Sequence, residues 1–394
     1  MTTTLPITNP VRTTDPLALA DVDHVRMYVG NAKQAAYFYA HAFGFQVEQF
    51  ADLTTGSREE ASYLLRQGNI RLLLTTGLHA SHPACNEVAL YGDAVKDIAF
   101  TVLDATAAWE RALKNGAESA QSPRETTDAI GSVTTASIKT FGHCVHTFVS
   151  RRGGYALGKM REGGTFMPGF APTKCFPLNA YNAARPCGLI CLDHCVGNVG
   201  LGGMNQWVQW YADILGFSLF KHFDDRDIST EYSALMSKVM DSGSGLIKIP
   251  INEPATGKRK SQVQEYLDFT DNVPGVQHLA FRCEDALETV AELRHRGVDF
   301  LRLPESYYDR VWDRVEGELH ANVREDHDRI KELGILVDAD DEGYLLQLFT
   351  MPLQDRPTLF LEIICRRGSQ SFGKGNFRAL FESLEIEQAR RGNL

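Results

Sequence analysis

Two histidines and a glutamate carry the first chemical suggestion in this chain of 394 residues: His194, His278 and Glu362, spaced 84 positions apart and 84 again. Each sits in an apolar run that reads as a strand, Leu189 to Cys195, Val276 to Arg282 and Thr358 to Ile364. A carboxylate between Leu361 and Ile363 is costly to bury unpaired, so Glu362 needs either a partner or an outward face. Two neutral imidazoles and one carboxylate on one side of a metal ion leave three coordination positions open. A non-haem iron(II) oxygenase needs that arrangement to hold a bidentate substrate and dioxygen together. Separations this long suit ligands gathered by the curvature of a sheet, not by one helix.

The elements that must position these residues are visible as an internal duplication. Asp23-His24 opens one half and Asp193-His194 the other. Phe38-Tyr39-Ala40 leading to Phe43-Gly44-Phe45 matches Trp210-Tyr211-Ala212 leading to Leu215-Gly216-Phe217, each an amphipathic helix closed by glycine and followed by a strand. Val95 to Phe100 matches Val276 to Phe281, and Thr147 to Gly153 matches Glu362 to Gly368. The unit is strand, helix, then several strands. Across the repeat the three positions are His24, Asp97 and Thr147 in the first half, against His194, His278 and Glu362 in the second. Only the second set is a metal triad, since Thr147 cannot supply the anionic ligand.

Other candidates carry less. His143 and His146 lie three apart, on opposite faces of a strand, and read as structural. Gly197, Gly200, Gly202 and Gly203 have the wrong spacing for a phosphate loop and lack the Lys-Ser/Thr that follows one. Cys187, Cys191 and Cys195 repeat every four residues, but Pro186 and the strand pattern oppose a helix there. Lys258 to Lys260 reads as a solvated turn.

Bulk properties exclude several classes. Forty basic residues against 50 acidic give a net charge of −10, so nucleic acid is not an expected partner. No run reaches the ~18 apolar residues of a membrane span. The eight cysteines form no Cys-x-x-Cys pair, which fits a reducing, cytoplasmic setting. Residues 1–20 are Thr- and Pro-rich and read as a disordered lead, not a signal peptide. The expected organisation is an N-terminal domain without metal over 21–158, a linker over 159–187, and a catalytic domain over 188–394. The last ends in an amphipathic helix over 376–391, in which Phe377, Leu380, Phe381 and Leu384 share a face. Asp309 to Asp328 is rich in charge and reads as a surface helix or loop.

From about Asp21 to Leu394 the chain resembles the 4-hydroxyphenylpyruvate dioxygenases. The resemblance is carried by Tyr28 to Ala36, Asp193 to Val199, Pro250-Ile251-Asn252-Glu253-Pro254, Lys260-Ser261-Gln262, Val276-Gln277-His278, Gln347 to Thr350, Asp355 to Thr358, and Phe372 to Phe377. It implies an α+β vicinal-oxygen-chelate (glyoxalase-like) fold, with tandem βαβββ modules forming two half-open barrels and a C-terminal helix as lid. It implies Fe(2+) on His194, His278 and Glu362, with 4-hydroxyphenylpyruvate and O2 as partners. The α-keto acid chelates iron, carbon dioxide leaves, the ring is hydroxylated and the side chain migrates, giving homogentisate. By the same resemblance Asn252, Gln262 and Gln277 serve catalysis, while Ser233, Pro250, Gln347, Phe349, Phe360 and Phe377 contact substrate. A homo-oligomer, dimer or tetramer, is the implied assembly.

Two alternatives stay open at this point. 4-Hydroxymandelate synthase shares fold, triad and substrate but oxidises the benzylic carbon; there the positions of Pro250 and Phe377 tend to be Thr and Ile, so this chain favours ring hydroxylation. A non-catalytic chelate-fold binding protein would not need a complete triad.

Overall fold

The computed structural model describes residues 16–223, 234–255 and 260–392. Two curled mixed sheets account for the duplication. The first contains β1 (Asp21–Tyr28), β2 (Gln46–Ala51), β3 (Glu60–Gln67), β4 (Ile70–Gly77), β5 (Ala94–Thr101), β6 (Ser119–Asp128), β7 (Gly131–Lys139), β8 (Val145–Gly153) and the two-residue β9 (Ala171–Pro172), in the order β6-β7-β8-β5-β1-β4-β3-β2-β9. The second contains β10 (Leu189–Asn198), β11 (Ser218–Phe223), β12 (Ala234–Asp241), β13 (Lys248–Ala255), β14 (Gly275–Cys283), β15 (Leu336–Asp340), β16 (Gly343–Phe349) and β17 (Phe360–Arg367), in the order β11-β12-β13-β10-β14-β17-β16-β15. Each sheet is two βαβββ modules joined edge to edge, and the second ends in the helix Phe377–Arg390. The duplicated strand–helix–strands unit is the one read from the repeat, and the α+β architecture is the one the family resemblance implies.

Local sequence explains the module helices. Asn31 accepts the Gln34 N–H to cap Ala32–Phe43, which ends at Gly44 in the left-handed region (φ 72°). Its counterpart starts as an α-helix at Met204–Trp210 and widens to a π-turn over Tyr211–Leu215 before Gly216 (φ 72°). That widening is invisible to a 3.6-residue periodicity.

The halves share one hydrophobic core running from Leu17 to Cys365, with Phe45 and Phe281 rings 5.9 Å apart across the junction. The expected lead and linker both contribute to packing. Residues 1–15 lie outside the described residues, but Leu17 and Leu19, within the expected disordered lead, are buried, and Ala20 N–H donates to the Thr101 carbonyl. Residues 159–187 dock on the first sheet. Phe166 is fully buried, and the Asn182 side chain donates to the carbonyls of Ala40 and Phe45 while accepting from Arg296 of the second half. A composition rich in Gly, Pro and Ala concealed these few anchoring residues.

His146 bridges the halves as a structural group, bonded to the Ile98 carbonyl at 3.0 Å and the Tyr211 hydroxyl at 2.8 Å. His143 stacks on Tyr91 with centroids 4.5 Å apart. The cysteines are free. No helix among the described residues is long and apolar enough to cross a membrane.

Candidate active site

Four adjacent strands of the second sheet, β13, β10, β14 and β17, form the wall on which the predicted site assembles. Antiparallel pairing sets His194 opposite Ala280 and Val196 opposite His278, and parallel pairing sets His278 opposite Phe360 and Ala280 opposite Glu362. Residues alternate across a strand, so His194, His278 and Glu362 converge on one face of the curved sheet. Their ligand atoms lie within 4.8 Å of one another. One Glu362 carboxylate oxygen, Oε2, stands 3.2 Å from His194 Nε2 and 3.3 Å from His278 Nε2. All three residues are buried.

A bulge beside each histidine controls which nitrogen faces inward. In β10 the register jumps between Leu192 and His194, leaving Asp193 as the extra residue; in β14 it jumps at Val196/Gly197 so that Gln277 is skipped. A bulge re-aims the side chain of its extra residue. Asp193 therefore turns to the same side as His194 and holds its Nδ1 at 2.8 Å, and Gln277 holds His278 Nδ1 with Oε1 at 3.0 Å. With Nδ1–H committed to an oxygen acceptor, each imidazole presents its Nε2 lone pair to the centre.

The electrostatics of the two histidines differ as a result. Burial alone pushes His194 down, but Glu362 and Asp193 outweigh it and its pKa is raised. His278 is backed by a neutral amide, and burial leaves its pKa lowered. Burial pushes the Glu362 carboxyl up, yet the charge of His194 and hydrogen bonds from both imidazoles hold it down at about 2. A metal ion displacing the protons shared between Glu362 and the two Nε2 atoms would meet one anion and two imidazole lone pairs on one face, a donor set that fits iron(II).

The triad closes one end of a cavity in the second half of the chain, lined mostly by apolar and aromatic side chains. Of the residues singled out in the sequence, Pro250, Asn252, Gln262, Gln277, Phe349, Phe360 and Phe377 line it, together with Ser237, Phe372 and Leu380, which were not assigned to the site. Phe360 lies flat on His278, centroids 4.7 Å apart at 22°, and Phe372 meets His194 edge-on at 5.0 Å. Among the described residues lining the cavity there is no lysine or arginine.

Comparison with known proteins agrees with this geometry. Residues 16–157 match the family model for the N-terminal region of hydroxyphenylpyruvate dioxygenase, and residues 192–348 that of the glyoxalase/bleomycin resistance protein/dioxygenase superfamily. The chain is 44% identical over 378 residues to 4-hydroxyphenylpyruvate dioxygenase of Yarrowia lipolytica, covering 94% of this chain and 93% of that protein. It is 44% identical over 377 residues to the enzyme of that name from Caenorhabditis elegans, with 94% and 93% covered. The chain belongs to the 4-hydroxyphenylpyruvate dioxygenase family. Among solved structures, a triple mutant of 4-hydroxymandelate synthase from Streptomyces coelicolor superposes with a TM-score of 0.80 at 28% identity, covering 94% of this chain and 99% of that one.

Gln347 is buried but stands outside the cavity lining; its amide has no hydrogen-bond partner among the described residues and abuts Gly373 at the start of the C-terminal helix. Ser233 lies outside the described residues, as does the side chain of Phe381. Sequence reading missed Phe372, although it fell within a motif that marked the dioxygenase resemblance. It also missed Asp193 as the partner of His194, for which the repeated Asp-His dipeptide was the available signal. The charged stretch folds as Tyr308–Trp312, a π-turn Asp313–Glu318 and His327–Leu333. It braces the base of the lid: Arg314 pairs with Asp338, and Tyr307 donates to Asn376 at 2.7 Å.

Proposed function

We propose that the chain converts 4-hydroxyphenylpyruvate and O2 to homogentisate and CO2, with iron(II) held by His194 Nε2, His278 Nε2 and the Glu362 carboxylate. The observation that carries this reading is a facial His-His-Glu set at the end of an aromatic cavity whose described lining holds no lysine or arginine. A 2-keto acid brought into such a cavity meets no lysine or arginine among the described lining residues to offset its carboxylate. One anionic protein ligand on a divalent ion leaves a single positive charge, which one carboxylate matches. Iron(II) held by these three residues would leave two positions for the keto acid and a third for dioxygen; decarboxylation of the keto acid would supply two electrons and ring oxidation the other two, so no organic cofactor is required.

The remaining residues bind, orient and exclude water. Asn252, Gln262 and Gln277 supply amides at the cavity wall for the polar ends of the substrate, Gln277 while also holding His278. Phe349, Phe360 and Phe377 present ring faces and edges to a phenol ring. Pro250 and Phe377 narrow the cavity against the rotation that would bring the benzylic carbon to the reacting oxygen. The helix Phe377–Arg390 covers the site and keeps water out. Free cysteines support a cytoplasmic setting. The exposed Tyr37, Phe38 and Leu90 of the metal-free half support its use as a homo-oligomer interface.

The test is anaerobic reconstitution with iron(II), exposure to oxygen with 4-hydroxyphenylpyruvate, and product identification by mass, with Glu362→Ala alongside. Homogentisate from the parent only is the expected result. 4-Hydroxymandelate transfers the chain to the alternative reaction that its solved structural neighbour is named for. Iron bound without oxygen uptake removes the oxygenase reading.

A further inference from the structure

The same four-residue constellation occurs twice in the molecule, once with a metal triad and once without. In the second half Arg366 grips Asp193 side-on, Nε to Oδ2 at 2.8 Å and Nη2 to Oδ1 at 2.7 Å; Asp193 Oδ1 accepts from His194 Nδ1 at 2.8 Å, and the Phe372 ring stands edge-on to His194. In the first half Arg151 grips Asp23 with Nε at 2.9 Å and Nη2 at 2.8 Å; Asp23 holds His24 Nδ1 at 2.8 Å, and the Phe166 ring meets His24 edge-on at 5.2 Å. Even the registers agree: His24 pairs with Ala99 as His194 does with Ala280, and Asp97 with Val145 as His278 does with Phe360.

The two copies differ in what the arginine holds besides the aspartate. Arg151 Nη1 donates to the Phe166 carbonyl, in the segment between the halves. Arg366 Nη1 donates to the carbonyls of Ser369 and Ser371, in the strap that leads through Phe372 and Gly373 into the C-terminal helix. One guanidinium thus joins the carboxylate behind His194 to the hinge of the lid.

We propose that Asp193 and Arg366 are positioning residues for the metal centre, with Arg366 orienting Asp193, Asp193 fixing the orientation and raising the donor strength of His194, and the same arginine tethering the lid strap to that ligand. The proposal rests on His194 being a metal ligand. An anionic acceptor behind a ligating imidazole strengthens it as a donor, and loss of such a partner lowers metal affinity. Asparagine at 193 cannot reproduce this. If its Oδ1 faces His194, its Nδ2 meets the Arg366 Nε donor and that contact is lost; flipped, it loses the contacts to His194 and to Arg366 Nη2.

The first half supplies an internal control, because Asp23→Asn removes an equally buried Asp-Arg-His contact where no triad exists. The metal-free full chain and its Asp193→Asn, Asp23→Asn and His194→Ala variants are titrated with Co(II), reading its ligand-field absorption. Asp193→Asn is expected to weaken Co(II) binding by roughly 10- to 100-fold and to shift the bands; Asp23→Asn leaves both unchanged. Equal affinity and bands in Asp193→Asn and the parent overturn the proposal, as does an equal loss in Asp23→Asn. Should Asp193→Asn fail to fold, Arg366→Lys against Arg151→Lys carries the same comparison, with a several-fold loss expected in Arg366→Lys alone and equal affinities overturning it. Parent-like binding in His194→Ala would instead remove the assignment of the ligands.

Discussion

Arg391, just past the last turn of the C-terminal helix, closes onto Glu265 with both carboxylate oxygens engaged, Nη2 at 2.8 and 3.0 Å and Nε at 3.2 Å. Glu265 is buried in the helix Gln262–Asp268, whose first residue lines the cavity. The lid is therefore pinned at its tip by this pair and at its base by Tyr307 and Arg314 on Asn376. Arg391→Ala removes this bidentate charge-assisted contact, a loss on the order of 1–3 kcal/mol for the lid. Hydrogen exchange across residues 377–390 is expected to quicken and KM to rise, with the Co(II) affinity of the triad unaltered. Unchanged exchange in that helix would show that the pair does not hold the lid.

Metal loading should be visible in stability as well as activity. An ion that binds only the folded chain, at a free concentration 100 times Kd, stabilises it by about 2.7 kcal/mol. Without it the centre keeps Glu362 as an anion between two imidazoles. Iron(II) added anaerobically is expected to raise Tm by several degrees, a chelator to reverse this, and Glu362→Gln to abolish the response. A full metal-induced rise in Glu362→Gln would mean the ion binds elsewhere.

The repeat made most of this architecture legible before the structure. His194, His278 and Glu362 stood out because His24, Asp97 and Thr147 occupy the same positions without their chemistry, and the structure places the two sets in equivalent registers. The partners of the histidines were not legible in the same way. A bulge is a property of two paired strands, so nothing in the run around Gln277 announces that its side chain turns toward His278, and around Asp193 only the repeated Asp-His dipeptide does. Phe166 was hidden because one buried ring, not periodicity, anchors its segment. The bracing role of Arg314 was hidden because its contact, Asp338, lies in another element.

Acid stability has a definite group to follow. His146 Nδ1 faces the Ile98 carbonyl, which only accepts, so Nδ1 carries the proton and Nε2 accepts from the Tyr211 hydroxyl. Burial holds this neutral ring's pKa down at about 4, against 6.5 for an unrestrained histidine. Because the folded value is the lower one, the stabilisation is complete above pH 6.5 and is lost as the pH falls from there through 4, an effect on the order of 3 kcal/mol. The His146→Gln variant offers an amide donor and acceptor to the same partners without titrating. The parent minus variant difference in urea midpoint should shrink between pH 7 and pH 4.5; a difference independent of pH would exclude His146 as the source.

The hinge of the lid couples to Gln347 through contact alone. Gly373 adopts φ 75°, and a Cβ built there would lie 2.3 Å from Gln347 Nε2 and 2.7 Å from its Oε1. Gly373→Ala therefore meets two costs: about 1–2 kcal/mol for a left-handed backbone with a side chain, and displacement of an amide that already lacks a hydrogen-bond partner among the described residues. The first cost is intrinsic to residue 373, whereas the second exists only while Gln347 is there. Gln347→Ala should therefore recover part of the Gly373→Ala loss in Tm, giving a non-additive double-mutant cycle. KM for 4-hydroxyphenylpyruvate is expected to rise in Gly373→Ala as the strap carrying Phe372 and Phe377 shifts, and to fall back partly in the double variant. Strict additivity in both Tm and KM would mean that the backbone strain alone accounts for the effect and that Gln347 does not support the hinge.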